Sequence, residues 1–509
     1  MRTWLRTFVA GILAFAGVGA VAQSHQHGHA GAAQRLGELS FPNRGNAAAQ
    51  EPFLRGVKLL HNFTYAGAIK AFQEAQAADP DFVLAYWGEA MAYNQTLWAN
   101  QNVAAARAAL AKLGPTPDAR RAKARDPEEV RWLAAAEVLY GPGDKASRDI
   151  AYAGAMEAFA DAEPANVEAQ AFAALATLGR SHGVRDVANY IRAAARLEAL
   201  FPTHQSHPGV LHYLIHAYDD PVHAPLGLRA ARLYGKLASD NAHALHMTSH
   251  IFLALGMWPE TEAANLEAIA ASDARLAQAK RPPYVCGHGP IWLVYARLQQ
   301  GEDASADIAR CKAQAFEPAA LSAETKVIGD AEAGPGGWSD MMVRQGIETG
   351  RWDTDSALPE GRFGFARFNL AYARVLKGRN HPEAARSALA DLIQARGAIA
   401  AAMTEELPDE HQLGRWLDLT VDQAKGIAAL AGGQHEAGLA ALRAVAIREA
   451  ALPPVFGPPA LQKPTAELLG DELLAAGRKT EAAEAYRQAL AVAPGRRLSV
   501  MGLKAATTP

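Results

Sequence analysis

Eight of the 17 histidines fall in one short stretch, at positions 204, 207, 212, 216, 223, 243, 246 and 250. On an α-helix, residues three, four and seven apart share a face. His212, His216 and Asp219 stand at i, i+4 and i+7 within HYLIHAYD, and His243, His246 and His250 stand at i, i+3 and i+7 within HALHMTSH. Each segment therefore carries a stripe of three donors. Burying so many imidazoles without a ligand requires a partner for every ring nitrogen. The chemistry that uses such stripes is transition-metal binding. Several imidazoles with one carboxylate suit zinc, copper, iron or nickel and exclude magnesium or calcium. His207, just ahead of Pro208, and His288, two residues after Cys286, complete the candidate ligand set.

Tyr213, Leu214 and Ile215 separate His212 from His216, so the HExxH arrangement of a zinc protease, with its glutamate base, is absent. Proton transfer at a metal here would fall to Asp219, Asp220, Tyr213 or a supporting histidine. The donors outnumber one tetrahedral shell, which implies either two metals or a set of orienting partners. No serine or cysteine nucleophile motif, phosphate-binding glycine loop or dinucleotide fingerprint stands in a credible context.

The elements that must position these residues are helices. From about residue 50 the chain runs in amphipathic stretches rich in Ala, Leu and Arg, broken by Pro, Gly or Asp-Pro, with no convincing strand alternation. The expected fold is all-α. Near the start, Gly56, Ala68, Phe72, Ala75 and Pro80 are spaced as Gly470, Ala482, Tyr486, Ala489 and Pro494 are near the end. The pattern resembles the tetratricopeptide repeat, a helix-turn-helix unit. A degenerate copy surrounds Ala155, Phe159 and Ala162. The resemblance implies a TPR-like α-solenoid of roughly six to nine antiparallel helix pairs.

In such arrays the first helices of successive units lie side by side on the concave face. A helix over about 226–238 separates the two stripes, so the stripe helices are expected to be such neighbours. Packed helices lie about 8–10 Å apart, a gap that two imidazoles and a metal can fill. The next first helix is expected near Cys286-Gly287-His288-Gly289, with Trp292 as a candidate pocket wall.

HNFTYAGAIKAFQEAQAADPDFVLAYWGEAMAY, HPGVLHYLIHAYD, HALHMTSHIF and LGDELLAAGRKTEAAEAYRQAL together resemble a family of exported bacterial tetratricopeptide-repeat proteins. Its HPGxxHYxIH and HxxHMxSHI motifs match His207, His212, His216, His243, His246 and His250. The resemblance covers most of the chain after the leader and supports the constellation without naming a reaction. A second reading is a scaffold that binds a protein or peptide through the repeat surface and uses its histidines structurally. The mid-array concentration of His and aromatic residues favours a local pocket over a long peptide track.

Half the residues are apolar, 20% are charged, and the net charge is -3, which gives no basic excess for nucleic acid. Residues 1–22 read as a cleaved secretory signal, with basic Arg2 and Arg6, an apolar core, and Ala20-Val21-Ala22 before Gln23. The expected location is periplasmic, with no membrane span after cleavage. Export would allow Cys286 and Cys311 to pair, while Cys286 near His288 also fits a metal ligand. Residues 23–50 read as a flexible lead with a tract from His25 to His29.

Helix arrays are expected over 51–328, carrying the histidine site, and over 338–509. Polar residues 114–127, glycine-rich 329–337 and proline-rich 453–464 interrupt the rhythm, the last expected as an ordered loop against the final repeat. His61, His381, His411 and His435 read as lone hydrogen-bonded core residues, His223 as part of a turn, and His182 as a helix end.

Overall fold

A computed structural model of the chain describes residues 34–508, apart from 99, 182–183, 324–331, 361 and 407–411. The leader 1–22, the His25 to His29 tract, His182 and His411 lie outside the described residues. The fold is all-α, a TPR-like run of antiparallel helix pairs, and within each unit most helices pack on a neighbour in sequence. Among the described residues the exception is a two-stranded antiparallel turn that pairs Asn94–Gln95 with Asn100–Gln101.

The repeat spacing has a steric cause. Phe72, on Tyr65–Ala78, is fully buried against two glycines, one on each flanking helix. A Cβ on Gly56 would meet its ring at 2.8 Å and one on Gly88 at 2.3 Å. Tyr486 repeats the arrangement, with Gly470 at 2.8 Å and Gly502 at 2.2 Å. An aromatic knob thus fits the gaps left by glycines on the helices before and after it. Burying such a ring contributes about 1.5–3 kcal/mol.

The chain divides into two compact units between Tyr284 and Val285, ahead of the glycine-rich 329–337 stretch. In the first unit, residues 34–46 were expected to belong to a flexible lead. They are instead pinned, because Leu36 and Phe41 find apolar partners. Phe41 is buried among Phe53, Trp87 and Trp132, and Arg35 pairs with Asp240 at 2.8 Å. Asn46 then caps the first helix, Ala47–His61. The helices that carry the site are Val167–Gly179, Pro208–Ala217 and Ala242–Ala254. Every residue of Pro208–Ala217 is buried. The expected intervening helix is Ala224–Leu237.

In the second unit Cys286 and Cys311 form a disulfide, so Cys286 is not free to bind a metal. Residues 334–337, expected as flexible linker, instead open the helix Gly334–Thr349. Pro335 suits a first turn, and a Cβ on Gly337 would meet the carbonyl oxygen of Glu332 at 2.6 Å. Glycine there permits close packing. The proline-rich 453–464 stretch is non-helical, with Leu461 fully buried. The carbonyls of Pro459, Gln462 and Lys463 accept from the side chains of Arg344, Arg496 and Gln423. His381 and His435, expected in the core, are exposed beside helix starts, where their polar rings stay hydrated. Among the described residues no helix is long and apolar enough to cross a membrane.

Candidate metal centre

Two short helices set the geometry. His207 caps Pro208–Ala217: its Nδ1 accepts the Val210 N–H at 3.2 Å, and Pro208 occupies the first turn. The helix then places His212 and His216 one turn apart. Asn241 caps Ala242–Ala254 in the same way, through the Ala244 N–H, and places His243 in the first turn and His246 and His250 farther along.

Three imidazoles converge. His212 Nε2 lies 3.1 Å from His216 Nε2 and 3.2 Å from His243 Nε2. Their ligand atoms all lie within 4.8 Å of one another. Metal–nitrogen bonds of about 2.0–2.1 Å in a tetrahedral shell separate neighbouring nitrogens by about 3.3 Å. The two contacts to His212 are therefore close to the edges of a metal tetrahedron.

The protonation states match that use. His212 donates from Nδ1 to the carbonyl oxygen of His61 at 2.6 Å, which leaves Nε2 with its lone pair. Burial pushes the His212 pKa down to about 3 and holds His216 well below the usual imidazole range. Both rings are neutral at pH 7, the form that binds a metal. An aromatic wall encloses them. The Phe63 ring lies 4.3 Å from that of His212 and 5.5 Å from that of His243, and Tyr234 stacks on His212 at 5.1 Å. Phe63 has φ +53°, a left-handed conformation costly for a bulky residue.

His246 and His250 extend the row. The His250 ring centre lies 6.3 Å from that of His216 and 5.1 Å from that of His246. His250 Nδ1 faces Asp219 Oδ2 at 2.6 Å, and His246 Nδ1 faces Asn265 Oδ1 at 2.8 Å. Asp219, expected as a ligand or proton carrier, thus holds a histidine in place. Neighbouring Asp220 is taken up by Arg185 and His223.

His207 sits elsewhere. With its Nδ1 accepting, its Nε2 donates to Glu168 Oε1 at 3.0 Å, and His61 Nε2 donates to Glu168 Oε2 at 2.8 Å. Tyr213 donates its hydroxyl to His61 Nδ1 at 2.8 Å. Burial pushes the Glu168 carboxyl up, but His207 and His61 outweigh it and bring its pKa down to about 2. The three donor residues lie close enough to hold an ion. Every imidazole nitrogen of the pair nevertheless has a hydrogen-bond partner, so this cluster is complete as a hydrogen-bonded one. Its link to the metal centre is the carbonyl of His61. Burial raises the Tyr213 pKa well above its ordinary value, and its hydroxyl is directed at His61.

His288 belongs to the second unit. It opens the helix His288–Gln300, with Nδ1 3.0 Å from a Glu332 carboxylate oxygen and its ring 5.3 Å from that of Trp292.

Sequence reasoning passed over Phe63, Glu168 and Asn265. Phe63 stands in HNFTY, two residues after His61. Asn265 breaks an alanine-rich helical run, EAANLEAIA, and a lone amide on such a face is a readable signal. Glu168 follows the helix cap Asn166 and looks like an ordinary first-turn acid.

No family model matches the chain, and no curated protein matches it. Among solved structures it is similar to the APC/C hetero-tetramer Cut9-Hcn1, with 12% identity over 92% of this chain and 78% of that chain and a TM-score of 0.33. It is also similar to the P58(IPK) TPR domain, with 12% identity over 90% of this chain and 97% of that chain and a TM-score of 0.19. Likeness at this level says nothing of a ligand or an activity.

Proposed function

We propose that this chain is an exported, periplasmic metal-binding protein whose first unit holds a transition-metal ion through His212, His216 and His243. The observation that carries the reading is the convergence of three Nε2 atoms with edges of 3.1 and 3.2 Å about His212. Zinc and copper fit three imidazoles best, and iron fits the donor set less closely. An ion held by three protein nitrogens keeps a position for an oxygen ligand, the arrangement used in metal-assisted hydrolysis. The chain's own residues supply orientation and enclosure: the carbonyl of His61 fixes the His212 tautomer, and Phe63 and Tyr234 wall the rings. The scaffold reading, with structural histidines, describes His61 and His207, whose nitrogens are all partnered. It does not account for three imidazole nitrogens brought face to face.

The test is metal analysis of untagged protein in which His25, His27 and His29 are replaced by alanine, since that tract could bind metal by itself. At least one equivalent of zinc or copper is expected, with loss in His212→Ala/His243→Ala. Metal-free protein that takes up nothing on titration would sink the reading. Export is tested separately, by whether the mature chain begins at Gln23.

A further inference from the structure

We propose that residues 35–38 form a strap that positions the three-histidine centre, and that a bound metal in turn holds the strap in place. The inference rests on the metal-centre reading and adds a control on its affinity by a distant segment of the chain.

Four consecutive residues reach three segments that are far apart in sequence. Arg35 donates from its main-chain N–H and its guanidinium to the Asp240 carboxylate, at 2.9 and 2.8 Å. The Leu36 carbonyl accepts from Asn62 Nδ2 at 3.1 Å, and the Leu36 side chain is buried. Gly37 lies against Pro208 and Leu237, and the Glu38 N–H donates to the Ser206 carbonyl at 2.8 Å.

Each of those partners adjoins a part of the centre. Asn62 follows His61, whose carbonyl fixes His212. Ser206 and Pro208 flank His207, the cap of the helix that carries His212 and His216. Asp240 precedes Asn241, the cap of the helix whose first turn holds His243. Asn241 Nδ2 also donates to Thr64 Oγ1 at 2.7 Å, which links the same elements a second time. A working site holds its groups within about 0.5 Å, so a band across both helix starts and the His61 corner restricts the motions that would open this one.

The hold of the strap is chiefly steric. The Arg35–Asp240 pair is exposed and screened by solvent. Gly37, by contrast, has φ +88°, and an added Cβ would stand 3.0 Å from both Leu237 Cδ2 and Pro208 Cδ. A branched side chain at 37 is strained in that backbone and crowded in that space, and therefore undocks the strap. Coupling between two equilibria is reciprocal: the factor by which docking raises metal affinity is the factor by which metal favours docking.

The experiment uses the full chain with His25, His27 and His29 replaced by alanine. Zinc affinity is measured by chelator competition, cobalt(II) absorption reports the geometry of the metal shell, and circular dichroism monitors the fold. Gly37→Val should bind zinc about 10–100-fold more weakly, the range for loss of a supporting contact, with an altered cobalt spectrum. Glu38→Gln, which keeps the main-chain bond and changes only an exposed side chain, should match the parent. In the parent, zinc should slow tryptic cleavage after Arg35 by a similar factor, and it should not do so in His212→Ala. Equal zinc affinities and cobalt spectra for the parent and a folded Gly37→Val would overturn the strap and leave the centre standing. Should Gly37→Val fail to fold, cleavage decides: a rate in the parent indifferent to zinc rejects the strap. A parent that binds no zinc would overturn both readings.

Discussion

His212 donates from Nδ1 to the main-chain oxygen of His61 at 2.6 Å, so a backbone atom of one helix end fixes which nitrogen of His212 faces the other imidazoles. A backbone acceptor cannot be removed by substitution at position 61. The orientation of His212 therefore depends on the path of the chain through His61, Asn62 and Phe63. Asn62 secures that path: its Nδ2 donates to the carbonyls of Leu36 and Lys58, and its Oδ1 accepts from Tyr234.

His212→Gln is expected to lower metal affinity by more than about 100-fold, beyond the range for loss of a supporting residue alone. His204→Gln is the control. His204 lies at the start of the same histidine-rich stretch, but its Nδ1 is directed at the Thr203 hydroxyl. It should bind metal as the parent does. Chelator competition measures both, and equal affinities for the two variants would contradict the assignment of His212 as a ligand.

Phe63 combines a left-handed backbone with a buried ring, and substitution separates the two effects. Phe63→Ala removes the ring and keeps the backbone penalty, for an expected loss of about 3–5 kcal/mol. Phe63→Gly removes the ring too but tolerates φ +53°, so it should be the more stable of the two by about 1 kcal/mol. Urea unfolding of the pair decides. A glycine variant less stable than the alanine variant would show that the left-handed backbone is not a source of strain.

The sequence made the helices and the ligand stripes legible because both obey a local period. Helix spacing alone places His212 beside His216, and the repeat places the helix of His243 next to theirs. What it did not reveal is decided between distant segments. His207 matches a metal motif as well as His212 does, yet it becomes a helix cap that turns toward Glu168. Which role a histidine takes depends on what its second nitrogen meets, and Glu168, Asn265 and the His61 carbonyl all come from other helices. The helix start at 334–337 is hidden for a related reason, since composition cannot distinguish a flexible glycine from one needed for close approach.

The Glu168 carboxylate has a folded pKa near 2 against an ordinary value of 4.5. A depressed carboxylate contributes stability that is present above its unfolded pKa and is lost as pH falls through the folded one. The parent should therefore lose stability between about pH 4.5 and 2 more steeply than Glu168→Gln, the slopes differing by up to one bound proton. At pH 7 Glu168→Ala should cost about 3–5 kcal/mol, because it strands His61 and His207 without their shared acceptor. Urea unfolding across this pH range reads both. Parallel acid slopes for the parent and the glutamine variant would show that Glu168 is not held ionised by its two histidines.

The aromatic knobs between repeats make opposite predictions for two helical glycines. A methyl at position 88 would stand 2.3 Å from the Phe72 ring, which is fully buried and packed by Phe53 at 5.9 Å. The ring cannot yield without displacing that neighbour. Gly88→Ala should therefore destabilise by about 1–3 kcal/mol, in spite of alanine's higher helix propensity. Gly154, inside Lys145–Ala162, has nothing within 4 Å of an added Cβ and a backbone that alanine can adopt. Gly154→Ala should stabilise by about 0.5–1 kcal/mol through propensity alone. Adding Phe72→Leu to Gly88→Ala should recover part of the loss, since the smaller side chain vacates the space the methyl needs. Thermal or urea unfolding of the three variants tests the steric account. If Gly88→Ala and Gly154→Ala shift stability equally, close contact between knob and glycine is not what sets the repeat spacing.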